Sequence, residues 1–374
     1  MCDTHDTADA PAQPLADDQA FDEWLLDSLN RGALALMISI GHRTGLFDRM
    51  ADGAARTSTE LARDAGLSER YVREWLGAMV AGRIVLCDDA ASNLELRFHL
   101  PGAHAAALTR AAGPDNIAVF AQYIGVLGHA ESKVVEAFEH GNGVPYADYP
   151  RFHEVMAEDS GQSVLGSLID HILPLDDDIV AKLSAGAEVC DVGCGRGLAL
   201  MLMAEHFPES RFCGIDFSHE AIEFARSEAR ARGLINIDFE IHDAASWREF
   251  ERYDLVFTFD SIHDQARPDL VLANIAESLK PDGIYLMQDI KMRSCIRLNT
   301  QHPMGPLLYT ISCMHCMSVS LAYGGMGLGA AWGRELAETM LTEAGFTDVV
   351  INELGHDTQN DYYIIRKQPQ TQTF

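Results

Sequence analysis

Two sets of side chains in this sequence have the types and spacing to do chemistry. The first is D-V-G-C-G-R-G, where Asp191 closes an apolar run and Gly193, Gly195 and Gly197 alternate before a helical pattern begins at Leu198. A strand, tight turn and helix start of this kind let a ligand approach the backbone and offer it unpaired N–H groups. Two further apolar runs end in acids, F-C-G-I-D-F-S at Asp216 and I-H-D-A-A-S at Asp243. Asp216 is placed to accept hydrogen bonds from both ribose hydroxyls of a nucleoside, and Asp243 from an exocyclic adenine amine. The second set is F-D-S-I-H-D-Q, with His263 beside Asp264, and a later C-M-H-C carrying Cys313, His315 and Cys316. A His and an Asp at the carboxyl end of a parallel strand lie in the crevice where α/β sheets bind ligands. A single C-x-x-C is a weak zinc or redox motif. Pairing His263 with His315 instead leaves open metal positions for a bidentate acid.

The elements that must position these groups follow from periodicity. Beyond Leu175 strands over 189–192, 211–216, 237–241, 255–259 and 283–289 alternate with helices over 198–206, 219–232 and 269–279. A helix over 335–344 and strands over 348–353 and 362–366 close the chain as a hairpin. Such alternation predicts an α/β sheet covered on both faces, with 291–334 inserted as a lid.

Upstream, 1–20 reads as a disordered acidic tail and 21–46 as amphipathic helices. Residues 57–98 pattern as two short helices, capped by Thr57 or Ser58 and by Ser68, then strands at 84–87 and 94–98, which is a winged helix. On its second helix Glu69 and Glu74 offset Arg70 and Arg73. Without a basic surplus to release counterions, dimerisation or substrate capping is the better reading than DNA binding. The stretch G-V-P-Y-A-D-Y-P-R-F places Tyr146, Tyr149 and Arg151 on an irregular aromatic loop. The domains expected are therefore the tail, a winged-helix dimerisation domain over 21–110, a helical linker and capping segment over 111–175, and a ligand-binding α/β domain over 176–374.

Composition narrows the partners. Across 374 residues, 56 acids against 28 Lys and Arg give a net charge of -28, which disfavours unaided binding to nucleic acid or an anionic membrane. Eight cysteines lie scattered, Cys190 and Cys213 inside apolar runs, a pattern of reduced core thiols that points to the cytoplasm. No apolar run approaches the roughly 20 residues of a membrane span.

Over 180–366 these motifs resemble class I S-adenosylmethionine-dependent methyltransferases. A dinucleotide oxidoreductase is the competing reading, but the spacing is G-x-G-x-G rather than G-x-G-x-x-G. The resemblance implies a Rossmann-like, seven-stranded sheet with S-adenosyl-L-methionine as cofactor. It puts Asp191, Gly193, Gly195 and Gly197 at the methionine end, Asp216 with Phe217 at the ribose, Asp243 with Ala244 at the adenine, and Asp260 also at the cofactor. L-N-R-G-A-L-A-L-M, Y-P-R-F-H-E, F-D-S-I-H-D-Q-A and C-M-H-C-M-S-V-S-L-A resemble a bacterial winged-helix methyltransferase group, which implies a homodimer and a small-molecule substrate. The pairing of His263 and His315, with Asp264, is further similar to metal-dependent 2-oxoacid C-methyltransferases. By that likeness His263 and His315 would hold iron or zinc and Asp264 would orient metal-bound water or substrate. Arg151 would face the substrate carboxylate or assist proton removal. The expectation is methyl transfer to a small, carboxylate-bearing molecule with metal assistance. The alternatives are an O-, N- or S-methyltransferase with His263 as base, and a regulator that senses S-adenosylmethionine and uses its winged helix on DNA.

Overall fold

The computed structural model describes residues 18–89, 92 and 94–367. They fall into two units, one of residues up to 129 with 154–162, the other of 130–153 with the residues from 163 onward.

The first unit is mostly helical. It contains α1 (Asp18–Arg43), α2 (Ser58–Ala65) and α3 (Glu69–Ala81), with β1 (Arg56–Thr57), β2 (Leu86–Cys87) and β3 (Arg97–His99) in a sheet ordered β1-β3-β2. Helix α2 starts where the sequence places it, because the Thr57 hydroxyl accepts from the Glu60 N–H at 3.2 Å and the Glu60 carboxylate accepts from the Thr57 N–H at 2.9 Å. Leu61, Val72, Trp75, Leu76 and Met79 bury the facing sides of α2 and α3. The expected strand over 84–87 is only two residues long, since Ile84 and Val85 both donate back to the Met79 carbonyl and finish the helix instead. The tail expected over 1–20 lies outside the described residues as far as 17, and 18–20 already belong to α1. Buried His42 is 2.9 Å from the Glu158 carboxylate, which also accepts from Arg110 at 3.2 Å and Gln122 at 2.8 Å. Along α1, Phe21, Trp24, Leu25, Leu26 and Leu29 are exposed.

Two helices, α4 (Ala121–His140) and α5 (Phe152–Ser163), supply residues to both units. The second unit is built on β4 (Glu188–Val192), β5 (Arg211–Asp216), β6 (Ile237–Ile241), β7 (Tyr253–Phe259), β8 (Leu279–Ile290), β9 (Asp348–Asn352) and β10 (Asn360–Arg366). Their order is β6-β5-β4-β7-β8-β10-β9, with β10 antiparallel to both neighbours and the first five strands parallel. This is the Rossmann-like α/β sheet expected, closed by the predicted hairpin. Core residues on one face include Leu200, Met201, Ile222 and Phe239, and on the other Val271, Ile275, Tyr285 and Phe346. The sheet reverses direction of travel between β4 and β7, so their carboxyl ends and that of β8 open on one crevice. The insertion after β8 carries α6 (Gly305–Ile311), a π-helical turn (Ser312–Cys316) and α7 (Met317–Ala322). Among the described residues no helix is long and apolar enough to cross a membrane.

Candidate active site

The glycine turn after β4 is pinned to its neighbour strand, with Gly193 and Cys194 both donating to the Ile215 carbonyl at 2.8 and 3.1 Å. Gly193, Gly195 and Gly197 have φ of 76°, 52° and 69°, where an L side chain is strained. Their reasons for being glycine differ. A Cβ on Gly193 would stand 2.6 Å from the Ser261 Cβ and one on Gly197 would enter the Phe239 ring, whereas one on Gly195 would meet nothing within 4 Å. Gly195 is thus the position that borders open room. Asp216 braces the turn, accepting from the Gly195 N–H at 2.9 Å and the Ser218 N–H at 2.8 Å. Burial raises the Asp216 carboxyl above its ordinary range against those two bonds. Asp191 is 2% exposed, and its Oδ1 has no partner. Burial first, and the Asp216 charge second, push Asp191 up to about 8. A buried carboxylate oxygen left unpaired beside an open cradle fits a ligand that brings its own N–H donors. At the next strand end Asp243 is exposed and accepts from the Ala245 N–H at 3.0 Å, while Ala244 is buried. Phe217 is half exposed after Asp216.

The turn after β7 packs directly on that glycine loop. Its Ser261 hydroxyl donates to the Val192 carbonyl at 2.7 Å. Asp260, just before it, adopts φ of 50° and accepts from the Gln288 amide at 3.1 Å. His263 is 4% exposed, with Nδ1 2.8 Å from Asp289 Oδ1. The same oxygen accepts from the Trp332 indole at 3.0 Å and from the Ile290 N–H at 2.8 Å, while Asp289 Oδ2 is buried without a partner. Burial works against a charged His263, but the Asp289 charge and the Cys316 thiol outweigh it and raise the imidazole well above its ordinary value. Burial also pushes Asp264 up to about 6, with the His263 charge opposing. From the insertion, Gly329 donates to the His263 carbonyl at 3.1 Å and the Ser320 hydroxyl to the Gln265 carbonyl at 2.8 Å. Asp289 is a residue that the sequence reading passes over as a site residue, although a similar rule applies to it: an apolar run, I-Y-L-M, leads through Gln288 to an acid at the strand end.

His315 sits in the π-helical turn, a local irregularity common at functional sites. Its ring stacks on Phe152 at 3.5 Å and meets the edges of Tyr149 at 4.7 Å and Tyr146 at 5.0 Å. Neither ring nitrogen has a partner, and burial, then the charges of His263 and His153, hold the imidazole well below its ordinary value. Tyr146 in turn stacks on His153 at 4.4 Å, and the Tyr149 hydroxyl donates to the Met314 carbonyl. The aromatic loop and the insertion are therefore one cover: Val144 donates to the Ser318 hydroxyl at 2.9 Å, and Gly143 has no room for a Cβ against the Ser318 carbonyl. Arg151 takes a left-handed backbone at φ of 68° just before Phe152.

Three potential metal ligands, Asp260, His263 and Asp289, have donor atoms within 4.8 Å of one another, and His315 does not join them. His263, one half of the expected His263–His315 metal pair, thus also has two carboxylates within ligand reach, while both ring nitrogens of His315 are without a partner. The dyad hydrogen bond itself accounts for the closeness of His263 to Asp289. Cys313 and Cys316 are free thiols.

Comparison with known proteins agrees with this architecture. Residues 183–345 match the family model described as a methyltransferase domain, and 32–110 that of an Rv2258c-like winged HTH domain. The chain is similar to (S)-coclaurine N-methyltransferase of Papaver somniferum, 26% identical over 110 residues that make up 29% of this chain and 31% of that one. It is similar also to the fatty-acid O-methyltransferase of Mycolicibacterium smegmatis, 29% identical over 108 residues, 29% of this chain and 39% of that one. The match thus spans between 31% and 39% of the length of these curated relatives. Among solved structures, human N-acetylserotonin methyltransferase in complex with S-adenosylmethionine superposes with a TM-score of 0.67 at 18% identity, over 95% of this chain and 100% of that one. At that identity the likeness is one of fold.

Proposed function

Since the chain carries a class I methyltransferase domain behind a winged helix, we propose that it moves a methyl group from S-adenosylmethionine to a small molecule bearing an ionisable O–H, N–H or S–H group. The observation that carries the reading is the His263–Asp289 dyad at the crevice edge. When bound, the cofactor supplies an electrophilic methyl group on a sulfonium. Asp191 and the open face at Gly195 would hold its methionine end, Asp216 its ribose, and Asp243 with Ala244 its adenine. Asp289 fixes His263 by Nδ1 and leaves Nε2 to take the acceptor's proton once the ring itself is deprotonated; because the Asp289 charge raises the imidazole well above its ordinary value, that form gains as pH rises. Methyl transfer from a sulfonium needs little more than an aligned, deprotonated nucleophile. The aromatic cover of Tyr146, Tyr149, Phe152 and His315 excludes water above it.

A metal-assisted version draws its support from the cluster of Asp260, His263 and Asp289 and from the unpartnered ring nitrogens of His315. Activity that survives thorough chelation sinks that version and leaves the base mechanism. Pairing of Arg70 with Glu74, and of Arg73 with Glu69 at 3.4 Å, weakens the regulator reading, because the cations on α3 are already balanced. The exposed apolar side chains of α1 support a homodimer, to be checked by light scattering.

The test begins with calorimetry of the purified chain against S-adenosylmethionine. A thermal-shift screen of small acids and phenols follows, with S-adenosylhomocysteine present, and release of S-adenosylhomocysteine is then measured for each hit. Absence of a binding heat for S-adenosylmethionine would refute the reading.

A further inference from the structure

We propose that Tyr323 is a cofactor-site residue: with Phe217 and Tyr146 it forms an aromatic gate at the edge of the S-adenosylmethionine site, and cofactor and product pass when the outer two rings part. The proposal rests on the S-adenosylmethionine reading above. Three separate elements supply the rings. Phe217 directly follows the end of β5 and Asp216, the carboxylate that braces the glycine turn. Tyr146 lies on the aromatic loop before α5, and Tyr323 follows α7 in the insertion.

The rings run in a row. Phe217 meets Tyr323 at 6.3 Å, with planes 67° apart, and Tyr146 at 6.5 Å, with planes 74° apart, so both contacts are edge-on. Tyr146 continues the row inward, stacking on His153 at 4.4 Å and meeting the His315 edge at 5.0 Å. The row thus joins the insertion to the aromatic loop beside Asp216. Exposure falls along it from 55% at Tyr323 and 49% at Phe217 to 1% at His315, so the outer end faces solvent and the inner end lies under the cover.

The backbone that carries Tyr323 is fixed. The Tyr323 and Gly325 N–H groups both donate to the Ser320 carbonyl, at 3.2 and 2.8 Å. The Ser320 hydroxyl donates to the Gln265 carbonyl at 2.8 Å and accepts from the Gly327 N–H at 3.1 Å, while the Met326 N–H donates to the Ala266 carbonyl at 3.0 Å. Both sides of Tyr323 are therefore anchored to the turn after β7. On the other side of the gate the Ser218 N–H donates to Asp216 at 2.8 Å and holds the backbone around Phe217. Opening is left to the side chains. Two half-exposed rings that meet edge to edge hold each other weakly, and exposed side chains change rotamer quickly without moving the backbone.

Binding kinetics of S-adenosylhomocysteine on the full chain, by surface plasmon resonance or stopped flow, test this. A barrier slows entry and exit alike, whereas a ring that merely touches the ligand slows exit alone. Tyr323→Ala should therefore raise both rate constants about tenfold and leave Kd within about twofold, the scale of one or two lost ring edges. Phe217→Ala should raise both as well. Tyr323→Phe keeps the ring and should restore the parent rates, and Tyr71→Ala, which removes an exposed ring from the first unit, should alter neither. A faster exit with unchanged entry in Tyr323→Ala overturns the gate, as do rates equal to the parent's. If calorimetry shows that S-adenosylmethionine binds and either of those results is found, this inference falls while the methyltransferase reading stands. If the cofactor does not bind, both fall.

Discussion

His263 and Asp289 meet through Nδ1 and Oδ1 at 2.8 Å, and that oxygen is already anchored by the Trp332 indole and the Ile290 N–H. The carboxylate is therefore held independently of the imidazole, so the pair sets the orientation of the ring and leaves its far nitrogen for the proposed proton transfer. His263→Ala should lower methyl transfer by about 10² to 10⁴, the range for a positioned base, and Asp289→Asn by less. Both variants should bind S-adenosylmethionine as the parent does, measured by calorimetry. A parallel loss of cofactor affinity would show that the dyad holds the cofactor rather than the acceptor's proton.

Asp191→Asn separates stability from binding. The Asp191 carboxyl sits at about 8 in the folded chain against an ordinary 3.8, so folding takes up a proton and stability falls as pH rises between those values. The amide lacks this dependence. The variant should have a higher Tm than the parent at pH 8, with the difference closing toward pH 4, and weaker affinity for S-adenosylmethionine. Equal Tm profiles would mean that Asp191 is ionised in the fold.

Gly195→Ala and Gly197→Ala should fail in different ways. Each forces a left-handed alanine, at a cost of about 1–2 kcal/mol. At Gly197 the new methyl also runs into Phe239, so its Tm should drop further. At Gly195 the methyl points into open room, so cofactor affinity should fall more than Tm. The reverse ranking in paired melting and calorimetry experiments would put the ligand elsewhere.

Glu158→Gln probes the winged-helix unit. The hydrogen bond from His42 holds Glu158 at about 2, aided by Gln122 and Arg110 and opposed by burial. Its folded value lies below the ordinary 4.5, so its contribution is complete above that pH and disappears as pH falls through 2. The variant should lose about 1–2 kcal/mol at neutral pH and show a flatter acid limb in pH-dependent melting. An acid limb as steep as the parent's would remove Glu158 as its cause.

What was legible in the sequence was what local rules govern. Strand ends, the helix cap offered at Thr57 or Ser58 and found at Thr57, and the closing hairpin follow from periodicity and single side chains, so they appear within a few residues of expectation. The partnership of His263 was not legible in this way. Asp264 is its neighbour in sequence, but Asp289, on the next strand, is its partner in space, because parallel strands align their carboxyl ends whatever the loop between them. His315 is legible by residue type, but its aromatic surroundings are not. Its neighbours, Phe152, Tyr146 and Tyr149, come from a segment whose distance in sequence hides the stacking, and a π-helical turn shifts which side chains face inward.

The close approach of Gly143 to Ser318, with Val144 donating to the Ser318 hydroxyl, joins backbone segments 174 residues apart. Under the proposed function, selectivity for an acceptor is consequently a two-part inheritance. An insertion transplanted alone from a relative would arrive without the loop it was moulded against, and any side chain at Gly143 would prise the halves apart. Libraries aimed at new acceptors should therefore vary 143–153 and 312–322 together and hold Gly143 constant.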